Sequence, residues 1–307
     1  MKVLYIICNN KEIDEVGYNV YHNLMINYEL KNHPSSNDLC EVYYLEKDNH
    51  EYIFMNTQDH VMHNTKKYLD FLNENFLDVE AAVHVNYHEG ASAPDPILSC
   101  HEVGDILSGT YLKHNPKYAT NLLVNMERLR EEAGLYEFTC ESETVHFSGV
   151  ITDVDPKLLL EYPVDNIDLE IGSLSSSFNN KKAIDVITKT LFEFFNDTKE
   201  KRLNVLYLGG SHFEKTYTNA ILDKEYPIYL SYQLAGVWLQ QVSEEQLEKD
   251  IQLILDSSTI KYDAIVFHEK VKKIKSLLLK LGEKNDVAVF KYNALKNIAN
   301  SPIKDLY

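Results

Sequence analysis

Short apolar runs of strand length alternate with helical patterns along most of this chain of 307 residues. Buried strands are predicted at residues 2–8 and 203–208 because both runs are almost wholly apolar. The clearest helix begins at Asn115, a capping residue that precedes Pro116, and ends at Gly134. Strands that alternate with helices predict an α/β fold, in which helices cover both faces of a mostly parallel or mixed sheet.

Weaker patterns extend this interpretation over the rest of the chain. The longest predicted loop covers residues 86–110, and its length is typical of a functional segment. No internal repeat, low-complexity linker or boundary in composition is present, so residues 1–307 are predicted to form a single domain. The further elements are strands near 41–45, 51–55, 79–87, 136–147, 167–171, 262–267 and 286–290, and helices near 13–24, 66–76, 180–196 and 270–281.

The net charge of −17 restricts the partners of this chain. Binding to a nucleic-acid backbone requires cationic surface, so RNA could be bound only through a local basic patch. Such runs are also typical of a solvated helix face, and this alternative stays open. The candidates are Lys181 and Lys182 in one patch, and Lys270, Lys272, Lys273 and Lys275 in the other.

The location of the protein is predicted from what the sequence lacks. No stretch approaches the ~20 apolar residues of a membrane helix, and the apolar run at 2–8 is followed by no cleavage motif. The four cysteines form no CxxC pair, which argues against a disulfide framework or a cysteine-based zinc site. A cytoplasmic protein without a membrane partner is expected, and nothing in the sequence specifies its oligomeric state.

Four histidines follow predicted strands or lie at their ends: His88, His101, His146 and His212. A single histidine is more often structural than catalytic. In an α/β sheet, however, ligands bind beyond the carboxyl ends of the strands, so a shared position there favours a joint site. Imidazole titrates near neutrality and also binds zinc, so acid–base catalysis and metal binding are both open.

Two further features lie at predicted strand ends. Gly209 and Gly210 precede Ser211 in a turn after a strand, where glycine allows a ligand to approach the backbone and helix amides can hold an anion. The turn is equally explained as a tight connection that needs positive φ. Glu170 lies in the predicted strand 167–171, where a buried carboxylate could orient a histidine, bind a metal or recognise an amine. Alternatively, Glu170 faces water.

The order of these motifs resembles the archaeal and plant type of D-aminoacyl-tRNA deacylase, and the chain looks like a diverged member of that family. The similarity covers about residues 1–290. Residues 145, 147, 148 and 211 depart from the family pattern, and residues 150–165 look inserted. The segments that carry the resemblance are His88, then Ser99-Cys100-His101-Glu102-Val103-Gly104-Asp105, Glu141-Ser142-Glu143-Thr144-Val145-His146-Phe147-Ser148, Leu169-Glu170-Ile171-Gly172-Ser173 and Gly209-Gly210-Ser211-His212-Phe213.

The resemblance implies a fold similar to nucleoside phosphorylases and peptidyl-tRNA hydrolases, and hydrolysis of the ester between a D-amino acid and tRNA. It implies a catalytic set in which histidines activate water, directly or through zinc, and Glu170 holds the substrate ammonium or a histidine. The implied catalytic residues are His101, His146, His212 and Glu170, the implied zinc ligands are His101, His146 and His212, and the implied substrate contacts are His88, Gly209, Gly210 and Ser211.

Two other functions stay open at this level. One is a non-catalytic module of the same fold that binds a small ligand or RNA, since Val145 and Phe147 replace polar or flexible positions. The other is a nucleoside phosphorylase-like enzyme, which would need a firm anion site.

Overall fold

Two sheets, one of eight strands and one of four, organise the fold. A computed structural model describes residues 1–90, 93–198 and 200–307. Within these ranges, it describes every side chain except those of Lys270, Lys272 and Lys273. The second predicted basic patch therefore lies outside the described side chains apart from Lys275, which is exposed. No helix within the described ranges combines the length and the apolar character that a bilayer crossing requires.

The strands are short and mostly buried. In chain order they are β1 (Lys2–Cys8), β2 (Lys31–Asn32), β3 (Glu41–Lys47), β4 (His50–Thr57), β5 (Ala81–His88), β6 (Ile97–Glu102), β7 (Gly104–Asp105), β8 (Thr110–Tyr111), β9 (Thr139–Ser142), β10 (Asp165–Gly172), β11 (Val205–Leu208), β12 (Gln233–Leu234), β13 (Ala264–Phe267) and β14 (Ala288–Lys291).

The helices are amphipathic and cover the sheets. In chain order they are α1 (Glu15–Asn27), α2 (Thr65–Asn75), α3 (Pro116–Glu132), α4 (Ser175–Phe178), α5 (Lys181–Thr190), α6 (Lys215–Ile221), α7 (Gly236–Leu239), α8 (Glu244–Ser257), α9 (Lys275–Asn285) and α10 (Asn293–Lys296). Short 3₁₀ segments lie at Val61–Asn64, Ser148–Thr152, Pro156–Glu161, Leu191–Glu193, Glu269–Ile274, Ile298–Asn300 and Pro302–Leu306.

The large sheet is mixed. Its strand order is β2-β3-β4-β1-β5-β10-β6-β9. Strands β4, β1, β5 and β10 are parallel, whereas β6 runs antiparallel to β10 and parallel to β9. The small sheet has the order β12-β11-β13-β14 and is parallel throughout. Strands β7 and β8 belong to neither and pair with each other as a separate two-stranded antiparallel sheet.

Helices cover both faces of the large sheet. One apolar core joins α1, α3 and α5 to one face and continues to residues of β11 and β13 in the small sheet. A separate core joins α2 to the other face. The predicted α/β fold with a mixed sheet covered on both faces is confirmed. The assignment of residues 1–307 to one domain, and the insertion at about 150–165, stay predictions.

Helix α3 shows why local signals located this element correctly. The side chain of Asn115 accepts a hydrogen bond from the amide of Lys117, and Pro116 occupies the first turn, where no amide partner is needed. Leu122 and Met126 are fully buried against the sheet.

Two boundaries predicted elsewhere in the chain are wrong. The predicted loop 86–110 contains β6, and the strand predicted at 136–147 is reduced to β9.

Candidate active site

Apolar and polar residues alternate along three central strands of the large sheet. The polar residues together form a buried polar surface on one face. Successive side chains of a strand point to opposite faces, so β5, β6 and β10 each place apolar residues in the core and polar residues on the other face. The polar residues are His84, Asn86 and His88 on β5, Ser99 and His101 on β6, and Asn166, Asp168 and Glu170 on β10, and all are buried.

The strand register brings these side chains together. Glu170 lies opposite Ser99 and Asn86, and Asp168 lies opposite His101. Glu170 is 3 % exposed, so the alternative in which it faces bulk water is wrong. His101 lies within β6, which runs antiparallel to β10, and not in a loop after a strand.

A cavity of about 680 Å³ opens above this polar surface. His88 and Glu170 contribute to its floor, and His146 and His212 line it from the segments after β9 and β11. His101 is fully buried behind this lining, with its ring stacked on that of His146 at a centroid distance of 4.2 Å. The structure therefore gathers the four histidines that the sequence singled out.

Glu143 is the centre of what we call the outer group, formed with His88 and His212. Its Oε1 atom lies 3.2 Å from His88 Nε2 and also contacts His212 Nε2. His146 Nδ1 is 3.7 Å away. Burial tends to raise the pKa of Glu143, but the nearby imidazoles of His146, His212 and His88 outweigh it and hold that pKa well below its usual range. Glu143 is therefore ionised at neutral pH.

The inner group consists of His101, His146 and Glu170. His101 Nδ1 lies 2.9 Å from the carbonyl oxygen of Glu102, and His146 Nδ1 lies 3.1 Å from that of Thr144. A carbonyl only accepts, so each Nδ1 carries the proton and each neutral ring keeps Nε2 as a lone pair. Burial lowers the pKa of His146, and burial with the nearby His146 lowers the pKa of His101 to about 3.

In contrast to Glu143, the buried carboxyl groups of Asp168 and Glu170 on β10 favour the protonated form. Burial, followed by the charge of Glu143, raises the pKa of Asp168 to about 8 and raises that of Glu170 well above its usual range. Ser99 Oγ donates a hydrogen bond of 3.0 Å to Glu170 Oε2. The site thus combines Glu143, whose pKa is lowered, with two buried carboxyl groups whose pKa values are raised.

Each group has the composition of a zinc site. In both groups one ligand atom from each member lies within 4.8 Å of the others, and two imidazoles with a carboxyl oxygen are a common set of zinc ligands. Hydrogen bonds from Nδ1 that leave Nε2 free are the usual support of such ligands. His101 Nε2 lies 3.5 Å from Asp168 Oδ2 and has no hydrogen-bond partner within the described chain. The residues fit zinc, but the predicted trio of His101, His146 and His212 is divided between the two groups.

The main role of the glycine turn is to position His212 at the cavity. Gly209 and Gly210 have φ values of +88° and +109°, which explains the preference for glycine there. The amide of Gly209 donates to the carbonyl of Leu234 at 2.8 Å, and contact between substrate and Gly209 stays a prediction. Ser211 Oγ donates to the carbonyl of Phe213 at 2.5 Å. Contact between substrate and Gly210 or Ser211 stays a prediction.

Several residues in or behind the lining of the cavity were not singled out from sequence. Glu143 lies only three residues before His146, and its place within the family-like segment was the available signal. Asp168 was signalled by the polar alternation of β10. His60 and His63 also line the cavity, as a stacked pair with a centroid distance of 4.2 Å, and no motif surrounds them. Trp238 lines the cavity too and is the chain's single tryptophan.

Fold and site together define an α/β protein with an enclosed histidine–carboxylate centre, of the kind that serves acid–base or metal-assisted chemistry. The chain belongs to the D-aminoacyl-tRNA deacylase family, whose sequence profile matches residues 75–290. No curated protein matches the chain in sequence.

Solved structures extend the comparison to the whole fold. The crystal structure of a conserved protein of unknown function is similar with a TM-score of 0.72 and 17% identity, covering 97% of this chain and 97% of that chain. Futalosine hydrolase of Helicobacter pylori strain 26695 has a TM-score of 0.40 and 10% identity, over 64% of this chain and 98% of its own. Purine nucleoside phosphorylase from Toxoplasma gondii has a TM-score of 0.38 and 7% identity, over 62% and 87%. The first of these shows a shared fold.

Proposed function

We propose that this protein hydrolyses the ester between a D-amino acid and the terminal ribose of tRNA. One observation carries the proposal within a chain of the deacylase family: His146 and Glu170, whose carboxyl pKa is raised, line one cavity, and Glu143, whose pKa is lowered, is buried behind that lining against His88 and His212. Neighbouring groups whose pKa values are driven apart are typical of acid–base sites, because one can accept a proton while another donates.

The side chains of the cavity suit the steps of ester hydrolysis. His146 presents an unprotonated Nε2 to the cavity and can take a proton from an attacking water. Buried His101 stacks on it and orients the ring. Glu170, as a carboxylic acid, can donate a hydrogen bond to an oxygen that gains negative charge, and Glu143 stabilises a histidine that becomes cationic.

Zinc is the cofactor that these residues suit. His88, Glu143 and His212 would hold one ion, and His101, His146 and Glu170 would hold another. When bound, zinc polarises a carbonyl and lowers the pKa of water. Glu170 would then be ionised, since ligation by a cation favours the carboxylate. The protein's own contribution is the orientation of His101 and His146 through their Nδ1 hydrogen bonds to backbone carbonyls.

The cavity suits ester hydrolysis better than phosphorolysis. Its described lining residues include neither lysine nor arginine, whereas a phosphorylase must hold an anionic phosphate beside its substrate. The substrate tRNA carries its phosphates outside the cavity, where surface lysines such as Lys181, Lys182 and Lys275 are exposed. An aminoacyl-tRNA substrate would place the protein in the cytoplasm.

The direct test offers purified protein D-Tyr-tRNA and L-Tyr-tRNA and follows the release of tyrosine. Chelator-treated and zinc-reloaded samples are compared, and their metal content is measured. We expect D-tyrosine to be released faster than L-tyrosine, with zinc restoring the lost rate. Folded protein that releases no D-tyrosine in either state would remove the proposal. Saturable binding of D-Tyr-tRNA without turnover would instead identify the non-catalytic alternative.

A further inference from the structure

We propose that Trp238 is a stacking platform for the terminal nucleobase of the tRNA acceptor end, at the open end of the cavity. The inference rests on the proposed function, because it assigns one part of that substrate to one part of the cavity.

Trp238 is held in place from two sides. Its helix, α7, begins at Gly236, whose amide donates to the carbonyl of Gly210 at 3.1 Å and so fixes α7 against the turn that carries His212. The indole packs against the apolar core under the small sheet, which includes Leu208 and Phe267. Trp238 is only partly buried and lines the cavity. A planar ring fixed in this way can bind a second ring with little loss of side-chain entropy.

The cavity changes character from its floor to its opening. His88 and Glu170 in the floor are 6 % and 3 % exposed. Leu107, Val150 and Ile151 also line the cavity but are 47 %, 49 % and 77 % exposed. Large apolar side chains with such exposure mark a surface that contacts another molecule. One end is therefore polar and enclosed, and the other, which includes these three residues, is apolar and open.

The connectivity of the substrate decides which part lies at each end. The amino acid is a free end, whereas the ribose continues into a polynucleotide that must leave through the open end. With the ester beside His146, the amino acid lies toward the enclosed end and the terminal nucleoside lies toward the opening. Single-stranded RNA ends are recognised by stacking on aromatic side chains, and the single tryptophan of the chain is placed to do this.

The surroundings of α7 suit the phosphates that precede that nucleoside. The 3₁₀ segment Glu269–Ile274, which belongs to the basic run, contacts α7. Exposed Lys275 follows it at the start of α9. In a protein with a net charge of −17, an exposed lysine that directly follows the segment in contact with α7 is an electrostatic match for a nucleotide phosphate.

Fluorescence of Trp238 tests the platform without any need for catalysis. The protein is excited at the red edge of the tryptophan band, where tyrosine and adenine do not absorb, and titrated with AMP or with ribose 5-phosphate. We expect AMP to quench the emission saturably and ribose 5-phosphate, which lacks the base, to leave it unchanged. Equal responses to both ligands, or no response to AMP, would overturn the inference.

Variants extend the test to the complete substrate. Trp238→Ala should raise the AMP dissociation constant, measured by calorimetry, and the KM for D-Tyr-tRNA by about 5- to 100-fold, with kcat little changed. Trp238→Phe should restore much of the loss, and Val237→Ala, at an exposed neighbour on α7, is the matched control. A fall in kcat at unchanged KM contradicts the inference. Deacylation without AMP binding rejects the platform alone, whereas AMP binding without deacylation rejects the proposed function alone.

Discussion

The outer and inner groups contain the same residue types, two histidines and a glutamate, in opposite electrostatic states. Three imidazoles surround Glu143 and hold its pKa well below the usual range. Glu170 is buried beside Glu143 and Asp168, and its pKa is raised well above the usual range. The comparison shows that the neighbours of a buried carboxyl group, and not its burial alone, decide its charge.

The largest effect is expected from removing the negative charge of Glu143. Glu143→Gln keeps the shape of the side chain but removes the anion beside His88 and His212. We expect kcat/KM for D-Tyr-tRNA to fall by roughly 10²- to 10⁴-fold, as is typical when an acid–base group is lost. Steady-state release of tyrosine provides the measurement.

Glu141→Gln is the matched control, since Glu141 lies in β9 only two residues away and is also buried, but its carboxyl group lies beside Thr218 and Lys215 and not beside the imidazoles of the outer group. The control should retain nearly full activity. Comparable losses in both variants would show that the effect comes from the fold of this segment and not from the outer group.

Much of the fold could be predicted because its signals are local. The cap and first-turn proline of α3 and the continuous apolar run of β1 each lie within a few residues of the element that they specify. The missed helix α8 has similar signals, since Ser243 caps it and Glu244 and Glu245 occupy its first turn. The formation of two separate sheets depends on contacts between distant segments, which local patterns do not contain.

The candidate site was predictable only in part for the same reason. Placement after strands, together with the family resemblance, indicated which histidines meet. The antiparallel direction of β6 could not be read from its sequence, and it is this direction that sets His101 opposite Asp168. Glu143 gains its role from His88 and His212, which are 55 and 69 residues away. Such a charge state depends on tertiary contacts alone.

Stability of the metal-free protein sharpens the comparison between the two groups. Glu170→Gln replaces a protonated acid by an amide of the same shape, so the free energy of unfolding should change by less than about 0.5 kcal/mol. Glu143→Gln removes charge-assisted contacts from two imidazoles and should cost about 2 kcal/mol. Urea unfolding after chelation measures both. Equal destabilisation would mean that Glu170 is ionised in the folded protein.

The pH dependence of stability tests Asp168, which lies beside the inner group. Its pKa rises from 3.8 to about 8 on folding, so the folded state binds this proton more tightly. Ionisation then opposes folding, and the stabilisation present below pH 3.8 is lost as the pH rises toward about 8. In the metal-free protein, this loss should contribute up to about 1.4 kcal/mol per pH unit, and Asp168→Asn should remove it. Parallel stability curves for the two proteins between these limits would contradict the assignment.

The smallest effect is expected from charges outside both groups. Lys275 lies beside the segment that contacts α7, whereas Lys182 lies on α5, which packs on the face of the large sheet opposite the polar surface. Lys275→Glu should raise the KM for D-Tyr-tRNA severalfold at low salt and reduce the salt dependence of binding by about one charge, with kcat unchanged because neither group is touched. Lys182→Glu should do less, and activity on a small aminoacyl ester should be unaffected by either change. A larger effect from Lys182→Glu would mean that tRNA approaches over α5 and not over the opening beside α7.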